Sequence, residues 1–344
     1  MKKNRLVVFT KNFGSNFTGA SLATVNILQL LEDELDEIII IAKHIGVFNL
    51  KKAKVIQVKY FFKAFPELRR YSNSSTYFYS DDHFGYFLKL AGKRFFHTYH
   101  GNWPDAMTIN AKMFILSFYY IPQYFFTLKF SYQVINVSYY MDSWVRKINP
   151  NTVVIRNGIG QQDIKLLKSQ LKSNCRIIMV GNIESRKYKL ALKVFNDIEN
   201  SLLHDKIKVD IFGNVLNKRL SDKLSKFSFV EIIGFNSNVN YSSYDLYLST
   251  SLMENLSISL CEALKNSLPV FAFNVGGTNE VINSFENGIL FTKKRYKAIL
   301  LAIDNLMKGQ LLFQFSPDHL DKFNWNFAAS RYKVLFDNMD EDKG

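Results

Sequence analysis

Short apolar runs alternate with amphipathic stretches along this whole chain, and that alternation leaves few architectures open. RLVVFT, EIIIIAK, KVIQVKY and KRFFHTYH read as strands in the first half. CRIIMVGNI, KVDIFG, FVEIIGF, YDLYLSTS and LPVFAF do so in the second. Between them lie segments of helical period such as ATVNILQLLEDEL and SISLCEALKN. Strands and helices alternating along most of the chain, with strands apolar on both faces, predict α/β domains with parallel, doubly wound sheets. With 344 residues the chain is too long for one ordinary core. The Asn157-Gly158 turn marks the boundary, giving domains over 1–158 and 159–318, with a last amphipathic helix over about 319–337.

Two cysteines, Cys175 and Cys261, cannot build a disulfide framework, so the expected compartment is a reducing cytosol. The apolar stretch after the basic start is too short for a signal peptide. The best candidate for a membrane span, the uncharged stretch Met113 to Leu128, is shorter than the ~20 residues a span needs and contains Pro122. It reads as a buried or half-buried helix pair. Net charge is +14, and residues 1–158 hold 20 Lys and Arg against 10 Asp and Glu. The densest basic part, Lys43 to Arg70, also carries Tyr60, Phe61, Phe62 and Phe65. That mixture suits an anionic membrane surface. A nucleic-acid partner would also suit the charge, but no recognised binding motif supports one.

The densest chemistry lies between Leu248 and Leu290. Glu254 and Glu262 stand with seven residues between them, at the entry to SISLCEALKN. If both were helical they would lie about 12 Å apart, too far to share one glycosidic bond but suited to two ends of an extended ligand. Ser259-x-x-Glu262 equally fits a capping box. Arg186 and Lys187 follow the strand-end Gly181 at a helix start, where the dipole favours an anion between them; a solvated basic turn is the plainer reading. Gly276-Gly277 precedes a predicted helix, TNEVI, whose N–H groups would suit phosphate. Gly19 opens the first helix after a glycine loop. His100 ends a strand at the sheet edge where such folds bind ligands. Asp81-Asp82-His83 is the one dense acidic spot, and its adjacent side chains point in different directions. The histidines are scattered and no Asp-x-Asp occurs, so no metal site is expected.

In this order the motifs resemble the retaining glycosyltransferases of family four, with the two-Rossmann GT-B fold. MENLSISLCEALKNSLPVFAFNVGGTNEVI looks like the family's Glu-x7-Glu block. VGNIESRKYKLALKVF resembles its donor-phosphate segment, YHGNW its acceptor-domain His-Gly, TGAS its glycine loop, IRNGI its linker, and FNWNFAASRY its closing helix. The resemblance implies two domains facing across a cleft, the N-terminal one for the acceptor and the C-terminal one for a nucleotide sugar. It also implies that the last helix packs back on the N-terminal domain.

The residue roles come from the same resemblance. Glu254 contacts donor-sugar hydroxyls, Glu262 the ribose, and Lys187 the diphosphate. His100 approaches the reaction centre. Backbone near Gly19 and over Asn255, Leu256 and Ser257 lines phosphates and sugar, and Gly234 lies where the base-binding strand ends. Asn182 stands where the family usually has Arg, with Arg186 as a compensating cation. The expected activity is metal-free, cofactor-free hexosyl transfer with retained configuration to a saccharide, lipid-linked at the inner face of the cell membrane, in envelope, capsule or lipopolysaccharide synthesis. The alternatives are a GT-B sugar-nucleotide epimerase and a noncatalytic glycosyltransferase partner subunit. Oligomeric state is not legible.

Overall fold

The computed structural model describes residues 5–159, 173–236, 238–284, 286–315 and 322–341. The chain divides into two compact units, one of residues 1–158 with 322–344, the other of 159–321.

Unit 1 is built on a parallel sheet of seven strands. They are β1 (Arg5–Phe13), β2 (Glu37–Ile45), β3 (Ala53–Gln57), β4 (Thr76–Ser80), β5 (Phe95–Tyr99), β6 (Gln133–Asn136) and β7 (Thr152–Val154). Their order is β3-β2-β1-β4-β5-β6-β7, so the topology switches direction between β1 and β4. Leu6 pairs with Ile38 and Val8 with Ile40, and both strands are buried throughout their centres. Covering helices on both faces make such uninterrupted apolar strands necessary.

The helices are α1 (Gly19–Leu31), α2 (Phe65–Arg69), α3 (Tyr86–Leu90), α4 (Ala111–Phe130) and α5 (Tyr139–Val145). Thr18 caps α1 in a reciprocal capping box with Ser21. The last helix, Trp325–Glu341 (named α11 below), belongs to this unit. Its Ala328, Tyr332, Phe336 and Met339 share a core with α1, Tyr77 and Phe96. Phe336 stacks on Tyr77 at 5.0 Å, and the Tyr332 hydroxyl lies 2.8 Å from that of Thr98. The helix starts at Trp325, because Asn324 Oδ1 accepts from the backbone of Asn326 and Phe327. Residues 319–321 of the expected span lie outside the described residues.

The predicted helix pair over Met113 to Leu128 is instead one continuous helix, α4, with Pro122 inside it. Asn110 caps it, and its last turn is anchored by Thr127, which donates to His83 O and accepts from Tyr86 N. These attachments offset the backbone bond that Pro122 removes. Ser117, Thr127 and Leu128 are buried and Met113, Leu116, Tyr120, Ile121 and Tyr124 half-buried, in keeping with the half-buried reading.

Unit 2 has a parallel sheet of six strands, in the order β10-β9-β8-β11-β12-β13. They are β8 (Cys175–Val180), β9 (Ile207–Phe212), β10 (Val230–Gly234), β11 (Leu246–Ser249), β12 (Val270–Phe273) and β13 (Gly288–Phe291). Its helices are α6 (Ser185–Tyr188), α7 (Ala191–Glu199), α8 (Lys218–Leu224), α9 (Ile258–Lys265) and α10 (Ala298–Met307). Cys175 and Cys261 are buried thiols, not joined in a disulfide.

Two helices read from the sequence change here. ESRKYKLALKVFNDI is not one helix but α6 and α7. Leu252 N donates to Arg186 O and the Thr250 hydroxyl to Lys187 O. Those are the carbonyls that a continuous helix would offer to residues 190 and 191. TNEVI is a short 3₁₀ turn over Gly276–Glu280.

Phe336 packs face to face with Tyr77 and edge-on to Phe96, with about 1% exposure. Phe336→Ala therefore removes about 3–5 kcal/mol from unit 1. Urea unfolding followed by near-ultraviolet circular dichroism checks this; an unchanged midpoint would contradict the packing.

Candidate active site

In unit 2 the strand ends place a carboxylate among cations. β8 runs into Gly181, whose φ of +144° brings the backbone beneath the Lys187 side chain. A Cβ on Gly181 would stand 2.6 Å from Lys187 Nζ, so only glycine leaves the ammonium its seat. Lys187 and Arg186 lie on α6, which the bonds from Leu252 and Thr250 pin to the loop after β11. That loop carries Glu254. Its Oε1 accepts from Ser251 Oγ at 2.8 Å and lies 3.4 Å from Lys187 Nζ and 3.6 Å from Arg186 Nη1.

Burial by itself would raise the Glu254 carboxyl, but Lys187 and Arg186 outweigh it and hold the group below the ordinary carboxylate value. The Arg186 guanidinium is also held by Glu184 at 2.6 Å and by Met253 O at 3.3 Å. Arg186 is thus committed within the protein on several sides. Asn182, where the family pattern has Arg, spends its Oδ1 on Asn214 N at 3.3 Å.

Glu254 is not helical: it lies four residues before α9, so the helical estimate of the carboxylate separation does not apply. The pair still has separate surroundings. Glu262, on α9, accepts from the Tyr241 hydroxyl at 2.8 Å, and burial raises its carboxyl above the ordinary value. The capping-box reading fails, because Ser257 occupies the N-cap and Ser259 lies within the helix. Ser259 Oγ instead lies 2.8 Å from the Tyr247 hydroxyl and 3.2 Å from Ser257 Oγ. Asn255 and Leu256 are buried between these poles.

The Gly276-Gly277 turn closes over this loop. Gly277 N donates to Asn255 O at 3.0 Å, so that N–H is committed within the protein. Gly276 has φ +56°, and a Cβ there would overlap Glu254 O. The turn is therefore a clamp on the Glu254 loop. Gly234 ends β10 with φ +92° and accepts from Gly213 N at 2.9 Å. Ser251, Glu184, Tyr241 and Tyr247 were not singled out from sequence. Ser251, three residues before Glu254, and Glu184, two before Arg186, are the ones with a local signal.

In unit 1, His100 follows β5, half-buried, and burial pushes its imidazole down to about 4. It is neutral at physiological pH. Gly19 is the first residue of α1, and exposed. At the switch between β1 and β4, Asp82 accepts from Thr10 Oγ1 at 3.2 Å, from Phe84 N at 2.7 Å and from Lys11 N. Asp81 accepts from Thr24 Oγ1 at 2.6 Å, while the His83 ring packs at 4.9 Å against Tyr120. The two carboxyls share the Thr10 hydroxyl as a neighbour, and Asp81 adds to the rise of Asp82. Burial raises both carboxyls, to about 6 for Asp81 and about 7 for Asp82. Among the described residues no group of three or more His, Cys, Asp or Glu is placed to hold a metal ion.

Residues 164–322 match the family model of glycosyl transferases group 1. A curated relative, the GtfA subunit of the UDP-N-acetylglucosamine–peptide N-acetylglucosaminyltransferase of Streptococcus parasanguinis, is 31% identical over 149 residues. That match covers 39% of this chain and 30% of the relative, and the chain spans less than half the length of the curated relatives it matches. Among solved structures, Anabaena Alr3699/HepE in complex with UDP-glucose superposes with a TM-score of 0.74 at 14% identity, covering 97% of this chain and 99% of that one. The lipopolysaccharide outer core galactosyltransferase WaaB gives 0.69 at 14%, over 97% and 99%. The fold is GT-B. Its two parallel sheets are those of units 1 and 2, and the cluster around Glu254 sits at the carboxyl ends of strands in the second.

Two predictions follow from these geometries. Gly276→Ala, which sets a Cβ against the Glu254 carbonyl at a left-handed φ, displaces the Glu254–Asn255 loop. Proteolytic cleavage within residues 250–257 should quicken at least about tenfold, while Gly309→Ala, at a remote φ of +66°, leaves it unchanged.

Asp81 has a folded value near 6, above its ordinary 3.8, so its burial costs nothing while the proton stays and costs more as pH rises through that range. Asp81→Asn should therefore favour stability more at pH 8 than at pH 4. Urea midpoints at the two pH values check the sign.

Proposed function

We propose that this chain transfers a hexose from a nucleoside-diphosphate sugar to a saccharide acceptor with retention of configuration. The observation that carries this is the Glu254 carboxylate, kept ionised between Ser251, Lys187 and Arg186 beside the start of α9. A carboxylate held so accepts hydrogen bonds from sugar hydroxyls, and the adjacent ammonium stabilises charge on a departing diphosphate. Glu262, with Tyr241, takes the ribose. Backbone over Asn255, Leu256, Ser257 and near Gly19 lines phosphates and sugar, and Gly234 borders the base. The family match over residues 164–322 and the UDP-glucose complex of the Anabaena structure support a nucleotide-sugar donor.

The acceptor hydroxyl attacks the anomeric carbon on the face from which the diphosphate leaves. The C–O bond to phosphate breaks as the new glycosidic bond forms, and the leaving phosphate oxygen takes the acceptor's proton. Neutral His100 donates a hydrogen bond near the reacting sugar rather than a full charge. Arg186, bound to Glu184 and Met253 O, positions Glu254; it does not replace the family's Arg at 182. We place the acceptor on a lipid carrier at the inner membrane face, in envelope polysaccharide synthesis, supported by the basic, aromatic Lys43–Arg70 segment and the likeness to a lipopolysaccharide enzyme.

A partner-subunit role is the second reading, favoured by Asn182, whose side chain is turned to Asn214. Transfer assays separate the two. Glu254→Ala and Lys187→Ala should each lower kcat/KM by about 10²–10³, with product anomers read by NMR. Full activity in both variants sinks the assignment. Absence of activity in the unmodified protein, across donors, favours the subunit reading.

A further inference from the structure

The exposed face of α4 is the least expected surface of unit 1. Phe114, Ile115, Phe118, Tyr119, Phe125 and Phe126 recur at the spacing of one helical face, opposite the buried Ser117, Thr127 and Leu128. All six are exposed, Ile115 at 69% and Phe118 at 71%. From Phe114 to Phe126 the ridge runs about 18 Å. Lys112 precedes it, and Lys129 follows, its ammonium 5.6 Å from the centroid of the Phe125 ring. No Asp or Glu occurs anywhere between residues 106 and 141.

Two neighbouring elements add to this character. Tyr86 N, at the start of α3, donates to Thr127, tying that helix to α4, and its last residue, Leu90, is 66% exposed beside Lys89. Phe61 packs on Phe84 at 4.2 Å, just before α3, while its neighbours Tyr60 and Phe62 stack on each other in the open between Lys59 and Lys63.

A soluble protein rarely leaves so much aromatic surface in one strip without an occupant. We propose that α4, with the Tyr60–Phe62 turn and Leu90 beside it, is the docking surface of this chain for an anionic lipid bilayer, lying in the plane of the headgroups. The aromatic ridge enters the acyl boundary and the lysines meet lipid phosphates. A second copy of the chain fits less well. A two-fold contact sets a patch against itself, bringing Lys112 and Lys129 against the same lysines with no carboxylate on the strip to answer them. The inference rests on the surface of unit 1, not on the donor site, and extends the membrane-bound acceptor of the proposed function.

The test is flotation of the full chain with phosphatidylcholine vesicles, with and without roughly one-third phosphatidylglycerol, at low and high salt. Binding to the anionic vesicles, weakened by salt, is expected. The paired substitution Ile115→Ser, Phe118→Ser should lower the partition constant at least about tenfold, and Lys112→Gln or Lys129→Gln about fivefold each at low salt. Melting temperature and nucleotide-sugar binding should not change in these variants, which keeps a failed fold, or a failed donor site, distinguishable from a failed docking surface. Absence of flotation overturns the inference, as does equal flotation of the unmodified and paired-serine proteins. So does a dimer in analytical ultracentrifugation that the serine pair dissolves.

Discussion

Glu254 is a buried carboxylate that stays charged, and much of unit 2 is arranged so that it can. A buried, unpaired carboxylate takes a proton rather than bear the cost of ionisation. Here Lys187 stands 3.4 Å away, seated over a glycine that admits no side chain, and Ser251 and Arg186 complete the surround. The cations come from the end of one strand and the carboxylate from the end of the next. Their meeting therefore depends on the sheet order, with β8 beside β11. The backbone of the same loop is clamped by Gly276-Gly277 from the end of a third strand, β12. One charged group thus sets the conformation of three strand ends, and α6 is cut from α7 because its carbonyls are drawn into the same loop.

Unit 1 handles its polar groups at the sheet edge differently. Asp81, His83 and His97 are buried and Asp82 is half-buried, with no cation bonded to either carboxylate among the hydrogen bonds and ion pairs described. Burial raises the two carboxyls and lowers the two imidazoles, so all four are driven towards neutrality. The contrast with Glu254 is one of partners. Desolvation acts on both edges, and only the second unit answers it with a paired ammonium and guanidinium.

The alternation of apolar strands and amphipathic helices was legible because both periods are written locally: β1 and β2 are centred on the apolar runs 6–9 and 38–42, β12 is apolar throughout, and α9 repeats on one face. Chemically dense residues were legible for a related reason. Gly181, Lys187, Glu254 and Gly276 each follow a recognisable strand end, which is where this architecture puts ligands. The misreadings came where a contact from elsewhere in the chain overrode the local signal. Ser259-x-x-Glu262 has the spacing of a capping box, but Tyr241 and Tyr247 claim the two side chains. ESRKYKLALKVFNDI has an unbroken helical pattern, but Leu252 and Thr250 claim the carbonyls in its middle.

α4 shows the limit most plainly. Its apolar residues identify it as a buried or half-buried helix, but they do not say which side chains the fold leaves open. Burial is not a property of a segment, however, but of what the rest of the chain lays against it. Local periodicity was enough to establish two parallel α/β sheets and the strand ends that carry charge, because it acts within a few residues. The sheet order that joins Lys187 to Glu254, and the exposure of the aromatic face of α4, were settled only by packing between residues far apart in the chain, and no window of sequence contains both sides of such a contact.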